Sequence, residues 1–207
     1  MKNIKTIMMV IGSVLFLSAK SDAQKGTLQF NLNYNYGIPL GSFNRDLVKN
    51  ASPRGAEGSL MYFFNDKLSA GLETGYQDYY QKYPRNIYST GKTEDVSAVL
   101  TNSIQMTPVL VKAKYFPMAT SRIKPYVSLG AGANLINFNQ YLGEFGSTES
   151  NVGFLAQGGL GVVIPFGRMS RSGINLAAAY NYAPYTKYGY NNLNSLNVQA
   201  GVVFALH

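Results

Sequence analysis

Three observations predict an all-β protein, an eight-stranded antiparallel up-and-down transmembrane β-barrel. Apolar and polar residues alternate with a period of two in eight segments, which is typical of strands with one apolar face. Only 14% of the 207 residues are charged, whereas about a quarter is usual. The 21 glycines, 16 tyrosines and 11 phenylalanines stand where a water-soluble protein would place lysine and glutamate.

A signal peptide is predicted over residues 1–23. Two lysines precede an apolar run over 7–17, and cleavage is expected between Ala23 and Gln24. The run is shorter than the roughly 20 residues that a bilayer-spanning helix needs, although a permanent anchor remains the alternative. The predicted organisation is a signal peptide over 1–23 followed by one barrel domain over 24–207.

The eight alternating segments follow one another along that domain. The first is the clearest, because apolar residues from Leu28 to Ile38 alternate with a glutamine and three asparagines. The apolar faces run over 28–38, 56–64, 68–76, 109–115, 127–135, 154–164, 174–182 and 196–204. Their β-branched and aromatic residues fit strands. Because Pro108 precedes the fourth face, we expect that strand to begin at Val109 or to contain a bulge.

Short and long connections alternate between the predicted strands. Short turns are expected at 65–67, 117–123 and 165–172, and longer loops at 39–53, 78–103, 139–151 and 183–192. The turns therefore lie at one end of the barrel and the loops at the other. In an outer membrane, the turns and both chain termini would be periplasmic and the loops extracellular.

Charge placement decides which face meets lipid. The charged residues within the predicted strands all lie on the polar face, and they are Glu57, Glu73, Lys112 and Lys114. A soluble barrel would expose that face to water and would carry many charges on it. Glycine, asparagine, glutamine and serine instead suit a narrow lumen. Lipid does not tolerate an open sheet edge, and eight closed strands leave a lumen that side chains can fill.

Aromatic residues cluster near both ends of the predicted strands, as in the two aromatic girdles of transmembrane barrels. At the looped end they are Tyr34, Tyr36, Tyr76, Tyr79, Tyr80, Phe138, Tyr141, Tyr182 and Tyr185, and at the turn end Phe64, Tyr115, Phe116, Phe166 and Phe204. This placement favours the apolar face as the lipid-facing side.

The strand ends also carry a family resemblance. The segment Gly37-Ile38-Pro39-Leu40-Gly41-Ser42-Phe43 closes the first strand, Gly201-Val202-Val203-Phe204 ends the last, and glutamine follows the signal peptide. In these features the chain resembles the small outer-membrane β-barrel proteins of Bacteroidota, an OmpA-like or PorT-like group. The resemblance implies the outer membrane of a Gram-negative bacterium, and its PorT-like side implies a component of a secretion or envelope-assembly complex. Many such proteins end in an aromatic residue, whereas this chain ends in His207.

The four strand charges are predicted to form a network in the lumen. A tight hairpin at 65–67 makes Glu57 and Glu73 diagonal neighbours, and Lys112 and Lys114 on the next strand compensate them. The network either fixes the strand register and plugs the barrel, or it serves as an ion path or gate. Removing one partner of such a buried set costs about 3–5 kcal/mol.

Catalysis is not expected. The chain has no cysteine, and its one histidine, His207, is the last residue. Membrane-barrel lipases, deacylases and proteases usually rely on a histidine near a serine or a carboxylate. No catalytic residue, cofactor or metal site is predicted.

Basic residues gather at the turn end, although the formal net charge of +8 also invites a nucleic-acid interpretation. The basic rim consists of Lys67, Arg122, Lys124, Arg168 and Arg171. A positive ring at one membrane edge suits anionic lipid head groups, with an acidic periplasmic protein as the rival partner. Nucleic acid is not expected, because the long loops are nearly neutral.

The longest predicted loop, 78–103, carries the candidates for protein contacts. They are Tyr79, Tyr80, Lys82, Tyr83, Arg85 and Tyr88. Tyrosine with arginine is typical of interaction surfaces, although these tyrosines could equally extend the girdle. The predicted function is a structural or accessory interaction role, with long extracellular loops and a plugged polar lumen. The alternatives are a component of a secretion or envelope-assembly complex, or a narrow channel.

Overall fold

The computed structural model describes residues 26–89, 95–119, 122–142, 145–167, 172–185 and 192–206. The strands are β1 (Thr27–Pro39), β2 (Ser52–Phe63), β3 (Leu68–Lys82), β4 (Asn86–Ser89), β5 (Asp95–Ala98), β6 (Leu100–Tyr115), β7 (Lys124–Leu142), β8 (Phe145–Pro165), β9 (Gly173–Tyr182) and β10 (Ser195–Leu206). Among the described residues, no helix has the length and apolar character needed to cross a membrane.

Eight of these strands close one antiparallel barrel in the order β1-β10-β9-β8-β7-β6-β3-β2. β3 pairs with β6, past the intervening β4 and β5, and the other barrel strands pair with their neighbours in the chain. The seam between β1 and β10 runs from Leu28 opposite Leu206 to Pro39 opposite Ser195. β4 and β5 form a separate two-stranded sheet. The prediction of an eight-stranded antiparallel up-and-down barrel is confirmed.

The alternating pattern places apolar side chains outside and polar ones in the lumen. On β1, Leu32 is 49% exposed while its neighbour Asn31 is 1% exposed. Such a reversal between adjacent residues follows from the period of two in a strand. The outer surface therefore carries the large hydrophobic residues, as a barrel in lipid requires.

Toward the looped end this polarity is reversed. Ile104, Met106 and Ile136 are buried inside the barrel, whereas Gln105 and Asn137 occupy the outward positions between them. An outer face that carries amides is suited to water, and an inner face that carries isoleucine and methionine is suited to a packed core. The strands thus continue past the lipid-facing band with an apolar interior.

Two of the predicted long loops are largely strand. The predicted loop over 78–103 is wrong for much of its length, because β3 continues to Lys82 and β6 begins at Leu100. The predicted loop over 139–151 is also wrong, since β7 and β8 remain paired up to Leu142 and Phe145. The outward residues of these strand ends are polar, so the sequence lacks the apolar alternation that predicts a strand and was interpreted as a loop.

Pro108 lies inside β6 and neither starts the strand nor causes a bulge. On the β3 side, pairing stops at Thr74 opposite Val109 and resumes at Gln77 opposite Met106 in the same register. Proline has no N–H group for the ladder. The Oγ1 of Thr74 donates instead to the carbonyl of Pro108 at 3.0 Å, which bridges the gap.

The connection between β1 and β2 folds into the looped mouth of the barrel. It contains one π-helical turn, Phe43–Leu47, whose two terminal residues are buried. The hydroxyl of Tyr83 donates to the carbonyl of Leu47 at 3.1 Å, and the hydroxyl of Ser52 donates to the carbonyl of Asp78. This connection therefore covers the apolar interior of the mouth.

Candidate functional site

A buried ion pair lies inside the barrel, between strands β3 and β6. The Nζ of Lys112 is 2.6 Å from Oε2 of Glu73 and 3.9 Å from Oε1 of Glu57. The register places Glu73 opposite Ser59 and Glu57 opposite Gly75, so the two carboxylates are diagonal neighbours. One ammonium group therefore lies between two carboxylates, and its shorter contact is to Glu73.

Amide side chains hold the second carboxylate. Glu57 accepts hydrogen bonds from Asn33 at 3.2 Å, from Asn35 at 3.2 Å and from Gln199 at 2.8 Å. Asn33 and Asn35 belong to β1, which pairs directly with the strand of Glu57, and Gln199 belongs to β10 on the other side of the barrel seam. A buried carboxylate requires such donors, because burial without partners is very costly.

Of the two lysines in the predicted four-charge network, Lys112 alone makes an ion pair with a carboxylate among the described residues, while Lys114 is buried beside it. Its ammonium group lies 4.9 Å from the ring centre of Tyr126 in a cation–π contact. The hydroxyl of Tyr126 donates to Asn175 at 2.9 Å, and Asn175 donates to Asn33 at 2.9 Å. Register alone does not tell that Tyr126 on β7 reaches into the lumen, so the sequence did not predict this contact.

The charge-and-amide layer, which joins residues far apart in sequence, consists of Glu57, Glu73 and Lys112 with the amides of Asn33, Asn35, Asn175 and Gln199. The bonds between Glu57 and Gln199 and between Asn175 and Asn33 each span 142 residues. The amide residues were not predicted as partners of Glu57, although the asparagines repeated on one face of β1 were a signal, since asparagine is depleted in strands. Because these buried groups bond across the lumen, they help to specify which strands meet.

Two apolar clusters lie at the ends of the lumen. At the looped mouth, Phe43 packs edge-on against Tyr79 with ring centroids 4.8 Å apart. The mouth cluster consists of Phe43, Leu47, Val48, Tyr79, Ile104, Met106, Leu110, Ile136, Leu155, Ala183, Tyr185 and Leu193, with Phe138 packed against it. The turn-end cluster consists of Phe116, Tyr126, Val163 and Val203.

These clusters correct part of the predicted girdles. Tyr79, Tyr185, Phe138 and Phe116 were assigned to lipid-facing rings, but they pack inside the barrel. The other girdle residues lie on the outer surface, for example Tyr34 at the looped end. An aromatic residue near a strand end fits either position, and only its parity in the strand tells them apart.

A cavity of about 180 Å³ remains within the mouth cluster. Leu47, Ile104, Ile136 and Leu193 line its apolar side, and Glu149 lies in its wall. It is separate from a smaller cavity of about 30 Å³ beside the charge-and-amide layer.

The predicted interaction residues do not form one patch. Tyr79 is buried in the mouth cluster, whereas Tyr80 lies on the outer surface 5.3 Å below the guanidinium of Arg54. Lys82 and Arg85 are exposed, and Tyr83 contacts Leu47. The side chain of Tyr88 lies outside the described residues.

The basic rim is described only in part. Lys67 and Arg122 are exposed and Lys124 is half-buried near the turns. The other predicted residues, Arg168, Arg171 and the cleavage-site residues Ala23 and Gln24, lie outside the described residues. Among those described, no group of three or more histidine, aspartate or glutamate residues could hold a metal.

The sequence of the chain matches a known family of outer-membrane barrels. Residues 9–205 match the sequence profile of the outer membrane protein beta-barrel domain. The chain belongs to this family. Membership, together with the closed barrel and its apolar outer face, places the protein in the outer membrane of Gram-negative bacteria, where its outer surface contacts lipid. No curated protein matches the chain in sequence.

The chain is similar to solved structures of outer-membrane barrels. The outer membrane protein OprG of Pseudomonas aeruginosa is 16% identical over 88% of this chain and 96% of its own, with a TM-score of 0.54. The N-terminal barrel domain of Pseudomonas aeruginosa OprF is 16% identical over 88% and 100%, with a TM-score of 0.48. Outer Membrane Protein W of Escherichia coli is 16% identical over 89% and 100%, with a TM-score of 0.47.

Proposed function

We propose that the protein is a non-conducting accessory barrel of the outer membrane, with a structural or interaction role and no catalytic one. The observation that carries this proposal is the succession of layers in the lumen. The mouth cluster, the charge-and-amide layer and the turn-end cluster follow one another along the barrel axis. An eight-stranded barrel is narrow enough for side chains to fill it, and the chain has no cysteine and one histidine for nucleophilic chemistry.

We expect no discrete current steps when the full barrel is reconstituted in planar lipid bilayers. An ion would have to displace the ion pair between Lys112 and Glu73 and pass two apolar clusters, which is costly. Bilayers that contain an open porin provide the positive control, and bilayers without protein provide the baseline. Reproducible unitary steps that change size in Glu57→Gln would instead identify the narrow channel.

The interaction role is supported by the hairpin of β4 and β5. Its two strands pair with each other from Asn86 opposite Ala98 to Ser89 opposite Asp95, in a sheet separate from the barrel. A lone two-stranded hairpin is at best marginally stable in water. Such a hairpin gains stability when it packs on another surface, and an extracellular partner would provide that surface. Loops on a rigid scaffold commonly carry binding.

Replacing residues 84–99 by a short glycine-serine turn tests that role. We expect the shortened chain to keep the heat-modifiable barrel band, because the deletion leaves the barrel pairing intact. β3 still pairs with β6 up to Lys82 opposite Thr101, and these strands still pair with β2 and β7. Chemical crosslinking in intact cells, followed by purification under denaturing conditions, should then lose specific adducts that the full chain forms. Identical adducts in both chains would remove the hairpin from the proposal.

The Bacteroidota and PorT-like assignment is part of this proposal. It is supported by Gly37–Phe43 and Gly201–Phe204 at the strand ends, and it favours membership in a secretion or envelope-assembly complex. The exposed Lys67 and Arg122 suit either anionic lipid or an acidic periplasmic partner at the turn end.

A further inference from the structure

The smaller cavity in the lumen is lined by residues from every strand of the barrel. It measures about 30 Å³ and lies between the charge-and-amide layer and the mouth cluster. Its polar lining includes Asn35, Glu57, Gln77, Asn134, Gln157, Asn181, Ser195 and Asn197. About 10–15 Å³ of such space is enough for one water-sized particle.

Five of the lining residues each have an amide oxygen that lacks a hydrogen-bond donor in the described part of the chain. They are Asn35, Gln77, Asn134, Gln157 and Asn197, all of which are buried. A buried acceptor without a partner is destabilising, so native proteins rarely leave one and a cluster of five requires a physical reason.

The orientation of two of these amides is set by their nitrogen atoms. The Nδ2 of Asn35 donates to Glu57 and the Nε2 of Gln77 donates to the carbonyl of Ser52, each at 3.2 Å. A carboxylate and a backbone carbonyl accept but do not donate, so exchanging nitrogen and oxygen in either amide would lose its bond. Gln157 likewise donates to Asn181 at 3.1 Å. In these three side chains the oxygen is the atom left over.

The charges beside the cavity favour a cation. Glu57 stands in the cavity wall, and the nearest ammonium group, that of Lys112, is 3.9 Å from it but 2.6 Å from Glu73. Lys114 contacts Tyr126 and does not line the cavity. Glu57 is therefore the one charged side chain in the described lining of the cavity, and its charge is negative.

We propose that this cavity binds a monovalent alkali cation, Na⁺ or K⁺. Oxygen ligands are those that hard cations prefer, and amide carbonyl dipoles can replace the hydration shell of such an ion. A divalent ion is disfavoured, because Glu57 is the one carboxylate in the wall. One water molecule can donate to only two of the five oxygens, whereas a single cation can be bound by several oxygen ligands.

The test measures thermal unfolding of the purified full barrel in detergent, in NaCl, KCl and N-methyl-D-glucamine chloride at equal ionic strength. Equal ionic strength keeps general charge screening constant. We expect Na⁺ or K⁺ to raise the midpoint relative to the bulky organic cation, by roughly 3–5 °C per tenfold rise in concentration above Kd. Equal midpoints in all three salts would show a cavity that holds water only and would overturn the proposal.

Matched variants separate the cavity from the rest of the barrel. Gln157→Met removes one cavity oxygen with little change in length and should lose the cation response, while Gln105→Met makes the same change on the outer side of β6 and should keep it. An unchanged response in Gln157→Met contradicts the site. Crystals of the unmodified chain soaked in RbCl give a second measurement that does not depend on variant folding, since an anomalous peak within the cavity is expected and its absence overturns the proposal.

Discussion

Replacing Glu73 by alanine should destabilise the barrel by about 3–5 kcal/mol, because it leaves the ammonium group of Lys112 buried without its main partner. The two side chains are 2.6 Å apart and are 2% and 3% exposed. Glu57 lies 3.9 Å from the same ammonium group but is already held by three amides, so it compensates only in part. We expect the folded band on a heat-modifiability gel to disappear at a clearly lower temperature.

The double variant Glu73→Met, Lys112→Met is the matched control. Replacing both members of a buried ion pair with apolar residues of similar volume is often neutral or stabilising. The double variant should therefore unfold much closer to the unmodified barrel than Glu73→Ala does. If the single variant unfolds at the unmodified temperature, the ion pair does not contribute to the stability of the fold.

The outer surface and the strand order were predictable from the sequence because both follow from a period of two. One face of each strand meets hydrocarbon, so its residues are apolar over the whole band, and a shift by one residue would turn that face inward. The first strand shows this most clearly, with Leu32 outside and Asn31 inside. The charged lumen residues were found by the same parity.

The lumen contacts were less predictable, because they depend on distances across the barrel. Lys112 and Lys114 have the same parity and the same charge, but one reaches Glu73 and the other a tyrosine on β7. The reversed polarity around Ile104 was missed for a related reason. The outward residues of a strand are apolar in lipid and polar where the same strand extends into water. The sequence does not show at which residue the strand leaves the lipid.

Phe43→Ala should release the connection between β1 and β2 from the mouth while the barrel stays closed. Phe43 is 0% exposed and contacts Tyr79 edge-on, and removing a fully buried phenylalanine side chain costs about 3–5 kcal/mol. The connection is joined to the barrel at both ends but makes no ladder with it beyond β1 and β2. The loss should therefore appear as local opening, whose free energy can change without global unfolding.

Trypsin cleavage after the exposed Arg45 and Lys49 measures that opening. When opening and closing are fast, the cleavage rate follows the population of the open form, and 3–5 kcal/mol corresponds to an increase on the order of a hundredfold or more. Phe64→Ala removes the same ring from the lipid-facing surface and should leave cleavage in this connection unchanged. Equal cleavage rates in Phe43→Ala and in the unmodified chain would mean that Phe43 does not hold the mouth closed. Faster cleavage with an unchanged gel transition would show that the mouth and the charge-and-amide layer are stabilised independently, as their separate contacts require.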